Sequence, residues 1–121
     1  MSMGLLTSDI LGLLLWNGRL QRHCAEQGAA EPDFLPVVKL FTPDAGCTWL
    51  LTEIDPDDPD IAFGLCDLGM GCPETGSVRI SELESVRGRL GIPVERDRHF
   101  TATKTLSAYA DEAWTHGAIR A

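Results

Sequence analysis

The sequence has no C-x-x-C pair, no G-x-S-x-G elbow, no lysine in its one glycine-rich loop and no long uncharged apolar run. Each absence removes a class of function. Four cysteines, Cys24, Cys47, Cys66 and Cys72, are present, but without paired knuckles they do not spell a structural zinc site. With no secretory leader to send the chain to an oxidising compartment, they read as free structural thiols. A hydrolase of the serine or cysteine type needs a nucleophile beside a histidine and an orienting acid. The three histidines, His23, His99 and His116, frame none. A phosphate loop needs a Gly-rich turn with Lys and Ser or Thr, leading into a helix. "FGLCDLGMGCPETG" has acids instead of a lysine and runs into strand-like residues, so its glycines read as tight turns.

The opening "MSMGLLTSDILGLLLW" is apolar but carries no basic n-region, and Asp9 interrupts it. The uncharged run Ile10 to Trp16 is far too short to span a bilayer. The expectation is a soluble, cytoplasmic protein with no membrane partner.

What is present fits an ordinary globular chain. The 121 residues are 44% hydrophobic and 23% charged. A chain this long can bury a core without a disulfide or metal. No internal repeat or low-complexity linker divides it, so residues 1–121 read as one domain.

Local chemistry predicts the elements. Thr7 is placed to cap a helix, with Asp9 in its first turn, and Asn17-Gly18 reads as its stop. "RLQRHCAEQG" then reads as a second, short helix. "PVVKLFTP", "CTWLLTEI", "IAFGLCDL" and the short "SVRI" read as strands joined by turns, which describes an antiparallel meander. In the second, Cys47, Trp49 and Leu51 share one face, with Thr48, Leu50 and Thr52 on the other. "SELE" reads as a capping box, Ser81 with Glu84, opening a helix that buries Leu83, Val86 and Leu90 and stops at Gly91. "IPVERDRHFTATK" is extended, with an edge strand, and "LSAYADEAW" starts a last helix that ends near Gly117. The expected fold is α+β: a small antiparallel sheet of about four to five strands, covered by N-terminal, middle and C-terminal helices.

Charge is distributed unevenly. The formal net charge is −8. Residues 51–84 hold nine acids and a single base, Arg79, and so carry a net −8 by themselves, while residues 85–121 are net +2. Clustered acid disfavours direct contact with nucleic acid and favours steering toward a basic protein. The densest stretch is "EIDPDDPDIAF", with Glu53, Asp55, Asp57, Asp58 and Asp60 in eight residues. As a helix-loop-helix calcium loop it fails: counted from Asp55, the sixth position is Asp60 rather than Gly and the twelfth is Cys66 rather than Glu. Asp followed by Pro instead suits a turn, so the stretch reads as a proline-stiffened hairpin tip. Asp67 and Glu74, nearby in sequence, extend the candidate into one negative face for a partner.

The strings "LLTSDIL", "PVVKLFTPDAGCTWLLTEIDPDDPDIAFGLCDLGMGCPETGSV", "ISELESVRGRLGIPVERDRHF" and "LSAYA" together resemble a small bacterial family of unassigned function carried on plasmids, phages and other mobile elements. The resemblance supplies no catalytic residue and no cofactor. It implies a setting among anti-defence functions. The resulting expectation is a non-enzymatic inhibitor, of the anti-CRISPR or anti-restriction kind. It would block a CRISPR effector or nuclease, by DNA mimicry, through Glu53, Asp55, Asp57, Asp58, Asp60, Asp67 and Glu74. Three readings compete with this. One docks the partner through another surface, Tyr109 and Trp114 with the basic 85–98 segment. Another is a plasmid-encoded interaction or regulatory module without a host-defence target. The third is a metal- or cysteine-dependent enzyme in which Cys66, Cys72, His99 and Asp67 converge.

Overall fold

A computed structural model describes residues 5–121; the first four residues of the opening stretch lie outside it. Thr7 does cap the first helix, its Oγ1 accepting the Ile10 amide at 3.2 Å. The expected stop does not occur. Helix α1 runs unbroken from Ser8–Glu26 and gives way only before Gly28, whose φ is +67°. Asn17 and Gly18 keep helical backbone because both are used against the sheet. Asn17 Nδ2 donates to the Thr52 carbonyl at 2.9 Å. Gly18 is buried, and a Cβ added there would land on the Ile54 carbonyl oxygen. A glycine inside a helix costs about 1 kcal/mol against alanine. Here its missing side chain is what lets helix and strand touch.

Five antiparallel strands follow the order β4-β3-β2-β1-β5: β1 Val38–Phe41, β2 Thr48–Ile54, β3 Ile61–Asp67, β4 Glu74–Arg79 and β5 Glu95–Arg96. The fourth strand is longer than its apolar residues suggest. It begins at Glu74, opposite Cys66, and ends at Arg79, opposite Ile61. In β2 the alternation holds from Trp49 to Leu51 and is then re-phased. The register against β3 shifts between Leu51 and Glu53, a bulge that inserts Thr52. Thr52 is buried, its hydroxyl donating to the Phe63 carbonyl at 3.3 Å. Beyond the bulge Glu53 stands opposite Phe63, and Ile54 returns to the core under α1.

Both faces of the sheet are covered. Leu14, Val38, Leu40, Trp49, Leu51 and Ile54 pack with Ile80 and Leu83 on the face under α1. Leu50 and Leu65 pack on the other face with Leu106, Tyr109, Ala110 and Ala113 of α3, Leu106–His116. Gly117, at φ 72°, closes α3 as its position predicts. The architecture is a single-domain α+β fold with a five-stranded antiparallel sheet and three helices.

The middle helix departs most from expectation. Helix α2 spans only Ile80–Ser85, with Arg79 at the cap position and no capping bond from a side chain there. The chain is already extended at Val86, and Arg87 bridges to Pro93. Gly88 to Ile92 then form a tight reversal, closed by Gly88 N to Ile92 O at 3.1 Å, with Gly91 at φ +77°. Asp44 fixes that reversal by accepting the Leu90 amide at 2.6 Å. Leu90 is therefore exposed rather than buried. The helical spacing of Leu83, Val86 and Leu90 was outweighed by a loop held from another segment.

Two glycines of one helix give opposite expectations. Gly12 faces open space, so Gly12→Ala gains helix propensity and stabilises by up to about 1 kcal/mol. Gly18→Ala gains the same propensity but drives a methyl into backbone, and the net result is a loss of about 1–3 kcal/mol. Thermal or urea unfolding of the two variants checks the sign. Equal effects at both positions would mean that Gly18 makes no close contact with the sheet.

Candidate functional site

The acidic stretch is the hairpin connection between β2 and β3. Its sequence is two Asp-Pro-Asp triplets, and each triplet makes the same turn. Asp58 N donates to Asp55 O at 3.2 Å, and Ile61 N to Asp58 O at 2.9 Å, so each proline occupies the second position of a β-turn. Each leading aspartate also accepts the amide two residues on. Asp57 N reaches Asp55 Oδ1 at 2.8 Å, and Asp60 N reaches Asp58 Oδ1 at 3.3 Å. Asp55 N to Ile61 O, at 2.9 Å, closes the loop onto the sheet.

Two arginines from other elements clamp this tip. Arg22 of α1 places Nη2 3.0 Å from Asp55 and Nη1 2.7 Å from Asp57. Arg79, the last residue of β4, places Nη1 3.3 Å from Asp58 and 3.5 Å from Asp60. Each guanidinium thus spans two carboxylates, one pair per triplet. The positive charge that a cation would bring to such a loop is supplied by the chain itself. Asp60 does a further job: its Oδ1 accepts Ser81 N at 2.9 Å, its Oδ2 accepts Ser81 Oγ at 2.7 Å, and its carbonyl accepts Ile80 N at 2.8 Å. Ser81 is therefore a donor to the tip rather than the cap of its own helix, and Asp60 satisfies the first turn of α2 in its place.

Titration follows from these bonds. The Asp57 amide, with Arg22 in support, holds the Asp55 carboxyl below its ordinary value. The Ser81 hydroxyl and amide, with Arg79, do the same for Asp60. The carboxylates beside Arg22 and Arg79 raise both guanidiniums, so Asp55, Asp60, Arg22 and Arg79 stay charged near neutrality. Glu53 behaves differently. It is half-buried behind the tip, and burial pushes its carboxyl up, with Glu31 adding to the rise. Both glutamates line a shallow cleft of about 230 Å³ with Arg22 and Phe63.

The seven predicted residues do not form one face. Asp55, Asp57, Asp58 and Asp60 cluster at the tip, with Glu53 just behind. Asp67 and Glu74 lie at the far end of β3, about 20 Å away at 3.3 Å per residue. Asp67 is only 3% exposed. Its two oxygens accept Gly69 N at 2.8 Å and Ile119 N at 3.0 Å, which ties the C-terminal tail to the β3–β4 loop. Glu74 is exposed at the start of β4.

The other proposed surfaces separate as well. Tyr109 is buried, its hydroxyl accepting the Thr103 amide at 3.1 Å, while Trp114 lies exposed over the β3–β4 loop and donates to the Pro73 carbonyl at 2.6 Å. His99 follows β5 at one edge of the sheet, and Cys66 sits on β3 beyond β1 and β2, so Cys66, Asp67 and His99 do not converge. Burial pushes the Cys66 thiol up to about 11, leaving it protonated at neutral pH. Among the described residues no helix is long and apolar enough to cross a membrane.

Sequence reasoning missed the clamps. Arg79 was visible as the single base of an acidic segment, a signal that it is needed there. Arg22 carried no such mark, because it lies 33 residues from Asp55 and beyond the glycine that reads as a helix stop.

A carboxyl whose folded value is lowered stabilises the fold above its unfolded value and loses that contribution as pH falls through the folded one. Asp60→Ala is therefore expected to lower the thermal midpoint at pH 7. The gap to the unaltered protein should close as pH drops below about 3.8, the ordinary aspartate value. Melting curves from pH 7 to pH 2 measure it, and a gap of constant size would contradict the assigned role.

Comparison with curated proteins and with solved structures finds no match to this chain. A family model described as a protein of unknown function, DUF2958, matches residues 5–120, and the chain belongs to that family.

Proposed function

We propose that this protein acts by binding, placing the rigid tip Asp55–Asp60 against a basic surface of another protein. The partner we propose is a nucleic-acid-binding effector of a host defence system, CRISPR or restriction, met in the cytoplasm. The observation that carries the docking reading is preorganisation. Two proline turns, two aspartate-to-amide bonds and two arginine clamps fix the tip before any encounter. A surface ordered in advance loses little conformational freedom on binding. Four carboxylates and two guanidiniums leave the tip at a net −2. Recognition then rests on the fixed positions of carboxylate oxygens, as on a strand of phosphates, more than on bulk charge. The overall −8 supplies long-range steering. The defence setting is supported by the resemblance to proteins carried on mobile elements.

Asp57 is the exposed aspartate of the tip, and Asp58 beside it is half-buried. In strains that each carry one defined CRISPR or restriction system, the unaltered protein is expected to restore phage plating or plasmid entry against one of them. Asp57→Lys with Asp58→Lys should reduce that relief at least tenfold. The sheet and helices should survive, because exposed ion pairs contribute little to global stability. Asp57→Asn with Asp58→Asn, which keeps the shape, should give an intermediate loss. Relief that charge reversal leaves unchanged would exclude the tip, and the absence of relief in every strain would exclude the defence target.

A further inference from the structure

Helix α1 carries more apolar surface than the sheet covers. Its inner face buries Leu14 and Gly18 against β2. At 100° per residue, Leu13, Trp16 and Leu20 fall within an arc of about 60° on the side turned away from that face. They are 56%, 67% and 41% exposed. Gly12 flanks them and has nothing within 4 Å of where a Cβ would stand, so a neighbour has room to approach closely. Three large apolar side chains at i, i+3 and i+7 on a solvent-facing helix form a docking stripe rather than scattered exposure.

The stripe is nearly symmetric about Trp16. Leu13 and Leu20 stand three and four residues either side of Trp16. Asp9 and His23 stand seven residues either side of it, and all five share one face. Reversal exchanges leucine with leucine and acid with base. Such a surface complements itself only when two copies run antiparallel. Parallel copies would set Asp9 against Asp9 and join helix ends of the same polarity, whereas antiparallel copies bring Asp9 to the His23 imidazole, a hydrogen-bonding partner, and oppose the helix dipoles.

We propose that this face of α1 is a self-association site. Two copies of the chain pair antiparallel about a two-fold axis close to Trp16, with Leu13 of one copy near Leu20 of its partner and Asp9 near His23. A foreign partner would have no need of the palindrome. Three part-exposed side chains per copy bury less than the roughly 800 Å² per partner of a standard interface, so a weak, reversible dimer is expected rather than an obligate one.

Sedimentation equilibrium of the full chain, from about 10 μM to about 1 mM, tests this. A reversible dimer is expected, with Trp16→Glu raising its dissociation constant at least tenfold while far-UV circular dichroism and melting stay unchanged. Asp9→Lys and His23→Glu should each weaken the dimer, and the double variant should restore it. A monomer across the whole range, or a dimer indifferent to Trp16→Glu, would overturn the site. Failure of the charge swap to restore association would overturn the antiparallel arrangement.

Discussion

Helix α1 meets the sheet with nothing between Gly18 and the Ile54 carbonyl, and much of the molecule is set by that contact. It fixes how deep the helix lies and where along β2 it sits. Asn17, one residue earlier, takes the carbonyl of Thr52, the residue that the β-bulge inserts. Arg22, one turn later on the same side, is thereby delivered to the loop that begins after Ile54, where it grips Asp55 and Asp57. Helix depth, bulge and clamp are successive consequences along one edge of the sheet. The tip takes its clamp from the helix that is seated beneath it.

The aspartates and glutamates of this acidic chain do different work. Asp33 accepts Ser107 N at 3.1 Å and the Ser107 hydroxyl as well, capping α3. Asp60 serves α2, Asp44 the 88–92 reversal, Asp67 the C-terminal tail and Asp97 the His99 amide. The short side chain keeps the carboxylate near the backbone, where it reaches amides that helices and turns leave unsatisfied. Most glutamates, by contrast, make no ion pair among the described residues; Glu112, bonded to Lys104, is the exception. A count of acids therefore overstates the charge free for a partner. Much of it holds the fold together.

The same division explains what the sequence made legible. Strands announced themselves through β-branched runs between turn residues. The Asp-Pro turns and the Gly117 stop were readable because both are local chemistry. Gly18 looked like Gly117, since a glycine after a helical run carries one local meaning. Only the position of Ile54, 36 residues on, separates a stop from a contact. Likewise Ser81 with Glu84 spelled a capping box, and a carboxylate from 21 residues away took the amide first. The tip's acids were identifiable as a group. Their clamps were not, because each arginine arrives through tertiary packing.

Docking by the tip requires that it be ordered before it meets a partner. Backbone 15N relaxation of the free protein tests it directly at Asp55, Asp57, Asp58, Asp60 and Ile61. Order parameters near 0.85, equal to those of β2 and β3, are expected. Values below about 0.6 across the two Asp-Pro-Asp triplets, with the sheet itself rigid, would contradict it.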